Sequence, residues 1–313
     1  MDNARGHFGS AANQEHIVNM SLEDWHKTGR YIEIEGRRLF VVDTDTEKPA
    51  LVILHGYPSS SHDYHLVLPE LARHYRVVIH DHLGFGLSDK PLEYSYSLFE
   101  QTEMAQLLWL KLGITEAHVF AHDYGTSIAT ELVARRNIGY EPVLLKSLTL
   151  CNGSIHIELA NLRFIQKLLR NRFLGPVIAR LSTIHVFRRN MRSLFSDPGM
   201  LTDEMVDTMW ALLTFGNGRT VLPKITQYLR DRELFWHRWV GGLTRSTVPT
   251  NILWGVDDPI TGRNVAELHH EEIPGSSLTL LESLGHYPMI EAPERWTEAL
   301  LSMLRHCDAE LPT

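Results

Sequence analysis

The chain has 313 residues, 43% apolar and 22% charged, a globular composition that excludes disorder, collagen and low complexity. Its 38 acids against 30 Lys and Arg leave a formal charge of −8, which makes the whole chain a poor general binder of nucleic acid or anionic membrane. The length fits two domains, or one α/β domain carrying an insertion.

Residues 1–20 are polar and read as a loose arm. They carry no apolar stretch of the kind a secretory signal needs. Tyr31 to Ile34 and Leu39 to Val42 flank Glu35-Gly36, which predicts a hairpin. Ala50 to Leu54 and Arg76 to Ile79 are continuous apolar runs, the mark of strands buried on both faces. Over 97–113, Met104, Leu107, Leu108 and Leu112 fall on one helical face. Ala117 to Ala121 predicts a strand, and Ile128, Ala129, Leu132 and Val133 a helix after it. Leu145 to Leu150, Thr250 to Trp254 and Ser277 to Leu281 predict three more strands. This alternation predicts a mostly parallel sheet with helices on both faces.

Residues 153–245 break the alternation. They show helical spacing, as in Leu162, Ile165, Leu168 and Leu169, and no buried strand run. A helical block between two strands predicts a cap over the carboxyl edge of the sheet, where open α/β sheets bind ligands. The expected organisation is an arm (1–20), a core in two parts (21–152 and 246–313) and a cap (153–245). No apolar run reaches about 18 residues, the length a transmembrane helix needs. Cys151 and Cys307 lie outside any CxxC, so no disulfide framework is expected and a reducing, cytoplasmic compartment is.

Ala121-His122-Asp123-Tyr124-Gly125 lies where a strand gives way to a helix. A nucleophile elbow needs small residues two before and two after the nucleophile, here Ala121 and Gly125. The central residue is Asp123. A carboxylate attacks an sp³ carbon without a base to activate it, and leaves an alkyl ester on the enzyme. Taken alone, Asp123 also reads as a helix N-cap.

Hydrolysis of such an ester needs a base, an orienting acid and oxyanion donors. In this arrangement the chain order is nucleophile, acid, His. His286, in the loop after the last strand, is the expected base. Asp258 in Trp254-Gly255-Val256-Asp257-Asp258-Pro259 is the expected acid, with Asp257 as the other choice. Cys151 to Ser154 offers no carboxylate there. His55-Gly56-Tyr57-Pro58 closes a strand, and the N–H groups of Tyr57 and Tyr124 are the expected oxyanion donors. The Gly-rich loop 81–91 lacks GxGxxG spacing and a P-loop Lys, and reads as a structural turn.

HGYP at 55–58, DHLGFGLSDKP at 81–91, HDYG at 122–125, WGVDDP at 254–259 and LGHYP at 284–288 resemble the α/β-hydrolase superfamily. The Asp in the elbow is similar to its epoxide hydrolase and haloalkane dehalogenase branch. SLTLCNGSI at 147–155, IQKLLR at 165–170 and ITQYLRDRELFWHRWVG at 225–241 resemble the mesoderm-specific transcript group. The resemblance spans roughly residues 30–305. Dehalogenases of this kind hold the halide with a Trp after the nucleophile and an Asn after His-Gly or a second Trp; this chain has Tyr124 and Tyr57 in the two former places. Fluoroacetate dehalogenases carry Arg where Tyr124 stands. Epoxide hydrolases carry His-Gly-aromatic-Pro and two cap tyrosines that protonate the epoxide oxygen. Tyr228 is similar to one of these and is the only Tyr in 153–245. The second donor is then missing, or is replaced by a residue outside the cap, a His such as His156 or His185, or one of Trp210, Trp236 and Trp239.

The resemblance implies an epoxide hydrolase that uses water and no cofactor or metal. Asp123, Asp258, His286 and Tyr228 are its expected catalytic residues, and His122, Trp210, Trp236 and Trp239 its expected pocket. Haloalkane dehalogenation, or ligand binding with weak catalysis, is the alternative. The expected partner is a small hydrophobic epoxide, aryl or alkyl, and a homodimer is left open. Residues 160–196 hold eight Lys and Arg and no acid. A solvated helix face is the favoured reading; contact with anionic lipid, or steering of an anionic substrate, is the other. The 18 histidines include an HxH and an HH pair without metal-site spacing.

Overall fold

The computed structural model describes residues 20–153 and 155–310, so the arm expected over 1–20 lies, but for Met20, outside the described residues. Eight strands form one sheet: β1 (Arg30–Ile34), β2 (Arg37–Asp43), β3 (Ala50–Leu54), β4 (Arg76–His80), β5 (Glu116–His122), β6 (Leu144–Cys151), β7 (Thr250–Gly255) and β8 (Ser277–Leu281). Their order is β1-β2-β4-β3-β5-β6-β7-β8. The first two form the expected hairpin, and β2 pairs antiparallel with β4. All later pairs are parallel. Glu35 and Gly36 both have positive φ (50° and 72°), the mirror-image turn whose twist matches a two-residue hairpin.

β3 lies inside the sheet because its side chains are apolar on both faces. Val52 and Leu54 point into one core layer and Leu51 and Ile53 into the other, all fully buried. Helices Leu98–Lys111 and Tyr124–Arg136 cover the first layer. Helix Pro293–Glu310 covers the second through Trp296, Leu300 and Leu304.

Every helix or strand between Cys151 and Thr250 is helical among the described residues. The last of them, Tyr228–Leu243, packs along Tyr124–Arg136. Glu131, buried, accepts from Trp239 Nε1 (2.9 Å) and Arg238 Nε (2.7 Å), and fastens the two helices together. The helix that enters the sheet edge after β5 thus sets the position of the helix above it.

Candidate active site

Five loops at the carboxyl ends of β3, β5, β6, β7 and β8 meet at one sheet edge. They contribute Tyr57, Asp123, Asn152, Asp258 and His286. Asp123 joins β5 to helix Tyr124–Arg136 with φ 43° and ψ −107°, a strained backbone for a residue with a side chain. Its side chain makes no cap hydrogen bond, so the N-cap reading does not describe it. Gly125 permits the tight turn: a Cβ there would lie 2.3 Å from the Leu54 carbonyl oxygen. Thr126 N and Oγ1 donate to the Asp123 carbonyl, as does Arg232 Nη2 (3.0 Å).

The Tyr57 N–H donates to Asp123 Oδ2 at 2.9 Å. That oxygen would carry the negative charge if the carboxyl carbon were attacked. Tyr124 opens its helix, so its N–H has no acceptor within the helix. No hydrogen bond joins that N–H to the carboxylate among the described residues. The Tyr57-Pro58 bond is cis.

His286 Nδ1 donates to Asp258 Oδ2 at 2.8 Å, and both residues are buried. Asp257, the other choice, is exposed and has no hydrogen bond to His286. Asp258 also accepts from Asn152 Nδ2 (2.9 Å), Thr261 Oγ1 (2.6 Å) and Ile260 N (2.7 Å). Burial alone would raise the Asp258 pKa; the His286 ring and these donors hold it below the ordinary value. Burial alone would lower the His286 pKa; Asp258 foremost, then Asp123, bring it above the ordinary value. With Nδ1–H committed to Asp258, the neutral ring keeps its lone pair on Nε2.

Tyr228 is the first residue of helix Tyr228–Leu243 and is buried. Its ring lies 5.4 Å from that of Tyr57 and 5.0 Å from that of Tyr124. Its hydroxyl accepts from Gln166 Nε2 (3.4 Å) and has no acceptor among the described residues, so its proton is uncommitted. Burial raises its pKa well above the ordinary value and keeps the phenol neutral. A cavity of about 80 Å³ lies on the far side of Tyr57 and Gln166, lined by these two with Leu169, Phe187, Met191 and Ile260 among others; Tyr228, Asp123 and His286 do not line it. One water needs about 10–15 Å³, so a small organic molecule fits. Tyr57 joins site and cavity: its N–H donates to Asp123, and the residue is part of the cavity lining.

The four residues expected to line the pocket lie elsewhere. His122 is buried behind the elbow, where its Nε2–H donates to the His286 carbonyl (2.8 Å). Trp210 packs tilted against Phe187, which lines the cavity, with centroids 5.4 Å apart. Trp239 is tied to Glu131 on the elbow helix. Trp236 is 50% exposed. Of the histidines offered as a second donor, His156 is held between Glu158 and Glu272, and His185 is exposed. The 81–91 loop is closed on itself: Asp81 accepts from Ser61 N and Leu87 N, and Lys90 Nζ donates to three carbonyls of the turn.

Sequence reasoning missed three residues. Asn152 lies in the stretch that offers no carboxylate, yet its amide holds the acid. Arg232, 1% exposed, donates to the Asp123 carbonyl and to Ser127 Oγ (2.6 Å), with its guanidinium 4.9 Å from the Tyr228 ring. Its signal was its place one helical turn after Tyr228. Asp63 is fully buried, accepts from Ser59 Oγ at 2.5 Å, and has Oδ1 unpartnered. Burial foremost, with the charges of Asp81 and Asp123, pushes its pKa up to about 8 from 3.8. Stability from this raised carboxyl is full below its unfolded value and is lost as pH rises through about 8. Asp63→Asn keeps the shape and cannot ionise. From about pH 5 to 9 the wild-type Tm should therefore fall further than that of Asp63→Asn. Parallel Tm profiles would contradict the assignment.

Residues 49–293 match the family described as the alpha/beta hydrolase fold. The chain belongs to the α/β-hydrolase fold family. It is 38% identical over 288 residues to "Putative hydrolase LipZ" of Mycobacterium tuberculosis (strain CDC 1551 / Oshkosh), covering 92% of this chain and 99% of that one. It is 33% identical over 297 residues to the mesoderm-specific transcript protein of Mus musculus, covering 92% and 89%. The crystal structure of the haloalkane dehalogenase DbeA from Bradyrhizobium elkani USDA94 superposes with a TM-score of 0.78 at 20% identity, over 90% of this chain and 99% of that one. The last likeness speaks to the α/β-hydrolase fold alone.

Proposed function

We propose that the chain hydrolyses a small hydrophobic epoxide to a vicinal diol through an ester on Asp123. One observation carries the reading: a carboxylate at the elbow tip, its Oδ2 held by the Tyr57 N–H, beside a buried neutral phenol with a free proton. Asp123 Oδ1 attacks a ring carbon and the carbon–oxygen bond breaks. The departing oxygen takes the Tyr228 proton, so no alkoxide forms in this buried site. His286 Nε2 then takes a proton from water, and the hydroxide adds to the Asp123 carboxyl carbon. The Tyr57 N–H holds the oxyanion on Oδ2. Collapse releases the diol oxygen, which takes the proton from His286. The proton left on the regenerated carboxyl restores the phenol. In this scheme the 153–245 helices act as the cap, and Arg232 steadies the strained elbow.

The phenol favours an epoxide over a haloalkane. A halide leaves as a stable anion and needs N–H donors, while an epoxide oxygen needs a proton. Tyr228→Phe removes one O–H and little volume. It should slow pre-steady-state alkylation by a small epoxide on the order of 10²–10⁴-fold, with Tm nearly unchanged. An unchanged alkylation rate would remove Tyr228 from the mechanism. Alkylation of wild type by a bromoalkane and by no epoxide would transfer the reading to dehalogenation.

A further inference from the structure

The helical insertion presents its large apolar side chains outward. In helix Leu174–Leu181 the buried residues are the small ones, Gly175 and Ala179. Leu174, Val177 and Leu181 face solvent, and Phe164 and Phe173 nearby are 75% and 82% exposed. Ordinary surface helices do the reverse, and contiguous exposed apolar side chains mark interaction surfaces.

The charge on these segments is equally one-sided. Residues 160–196 hold eight of the chain's 30 basic residues and none of its 38 acids. Arg170, Arg188 and Arg192 are paired with acids from later helices. Lys167, Arg172, Arg180 and Arg189 are exposed and have no ion-pair partner among the described residues. Val186, 47% exposed, also lines the cavity, as do Arg163 and Ile165, so the cavity opens toward these segments.

We infer that this face docks the protein on an anionic lipid bilayer, with the cavity mouth toward the membrane. Bulky apolar side chains that enter the headgroup boundary, with unpaired cations among them, are the two features that bind a peripheral helix to anionic lipid. The net charge of −8 supplies orientation: an anionic surface repels the chain as a whole and attracts this one face. A purely protein partner would account for the apolar residues but would need a matching acidic surface, and this chain's own acids lie outside the segment. The docking does not depend on the reaction proposed above, and its test needs no turnover.

The test is flotation of the full chain with vesicles of phosphatidylcholine alone, or with one third phosphatidylglycerol. Partitioning should be at least about tenfold stronger on the anionic vesicles and should weaken as salt is raised. Phe164→Ser/Phe173→Ser/Leu181→Ser should lose it, and Lys167→Gln/Arg172→Gln/Arg180→Gln/Arg189→Gln should lose it about tenfold or more. All seven side chains are exposed, so both variants should keep the wild-type Tm. Equal partitioning onto neutral and anionic vesicles, or full binding by both variants, would overturn the inference. So would a concentration-dependent dimer that the triple variant abolishes while no vesicle binds, which would make a second copy the occupant.

Discussion

His286→Gln is expected to fill with a covalent ester on Asp123 when it meets a small epoxide. The attack of Asp123 on a ring carbon needs no base, because the carboxylate is the nucleophile and Tyr228 supplies the proton. Ester hydrolysis does need one, because water must lose a proton as it adds. Removing the base should slow that half-reaction on the order of 10²–10⁴-fold while alkylation continues at the wild-type rate. Intact mass should then show one equivalent of added substrate, and a peptide digest should place it on Asp123. Gln is the suitable replacement because its amide can still donate toward Asp258, which keeps Asn152, Thr261 and the Ile260 N–H as partners. A folded variant that neither traps substrate nor turns it over would mean that His286 serves the first step as well. In the wild type, the same logic predicts an acid limb in the pH profile of ester hydrolysis. The limb should lie above the ordinary imidazole value, since His286 is held upward in pKa by Asp258. The base works only once neutral, so activity rises with pH through that limb.

The sheet was readable because a strand buried on both faces has no polar alternation to disguise it. Ala50 to Leu54 matches β3 end to end, as Ser277 to Leu281 does the partly buried edge strand β8, and the other strands differ by a residue or two. The elbow was readable because its tight packing demands a residue without a side chain at a fixed place: a Cβ on Gly125 would meet the Leu54 carbonyl. The choice between Asp257 and Asp258 was not, since adjacent residues on a turn point in opposite directions and share a composition. Burial separates them, and burial is a property of the whole fold. The pocket aromatics failed for a related reason. In helix Tyr228–Leu243 the stripe through Tyr228, Arg232 and Trp239 faces inward. Trp236 falls at its edge and lies half exposed. Helical spacing names a stripe but not what it packs on; Trp239 faces Glu131 on the elbow helix and not the cavity. Arg232 and Asp63 escaped because charged residues default to the surface. Arg232 is buried by contacts made far along the chain, under the elbow; Asp63 is fully buried with Ser59 Oγ as its donor.

The largest expected loss is at Asp123. Asp123→Ala removes the attacking oxygen and should lower turnover on the order of 10⁴–10⁶-fold, the scale seen when a covalent nucleophile is deleted elsewhere. Loss of rate alone does not distinguish a nucleophile from a base that activates water against the epoxide. The origin of the oxygen atoms does. If Asp123 is the nucleophile, the diol formed in the first turnover takes its new oxygen from the carboxylate. Water then replaces that oxygen as it attacks the ester carbon. A single turnover in heavy-oxygen water, with enzyme in excess over epoxide, should therefore leave the label in the Asp123 carboxylate and an unlabelled diol. Only later turnovers should deliver labelled diol. The position of the Tyr57 N–H fits this order of events. It holds Oδ2, which leaves Oδ1 to attack and puts the donor where charge develops in the second step. Label in the diol of the first turnover, with Asp123 unlabelled, would mean that water attacks the epoxide directly and that Asp123 is its base.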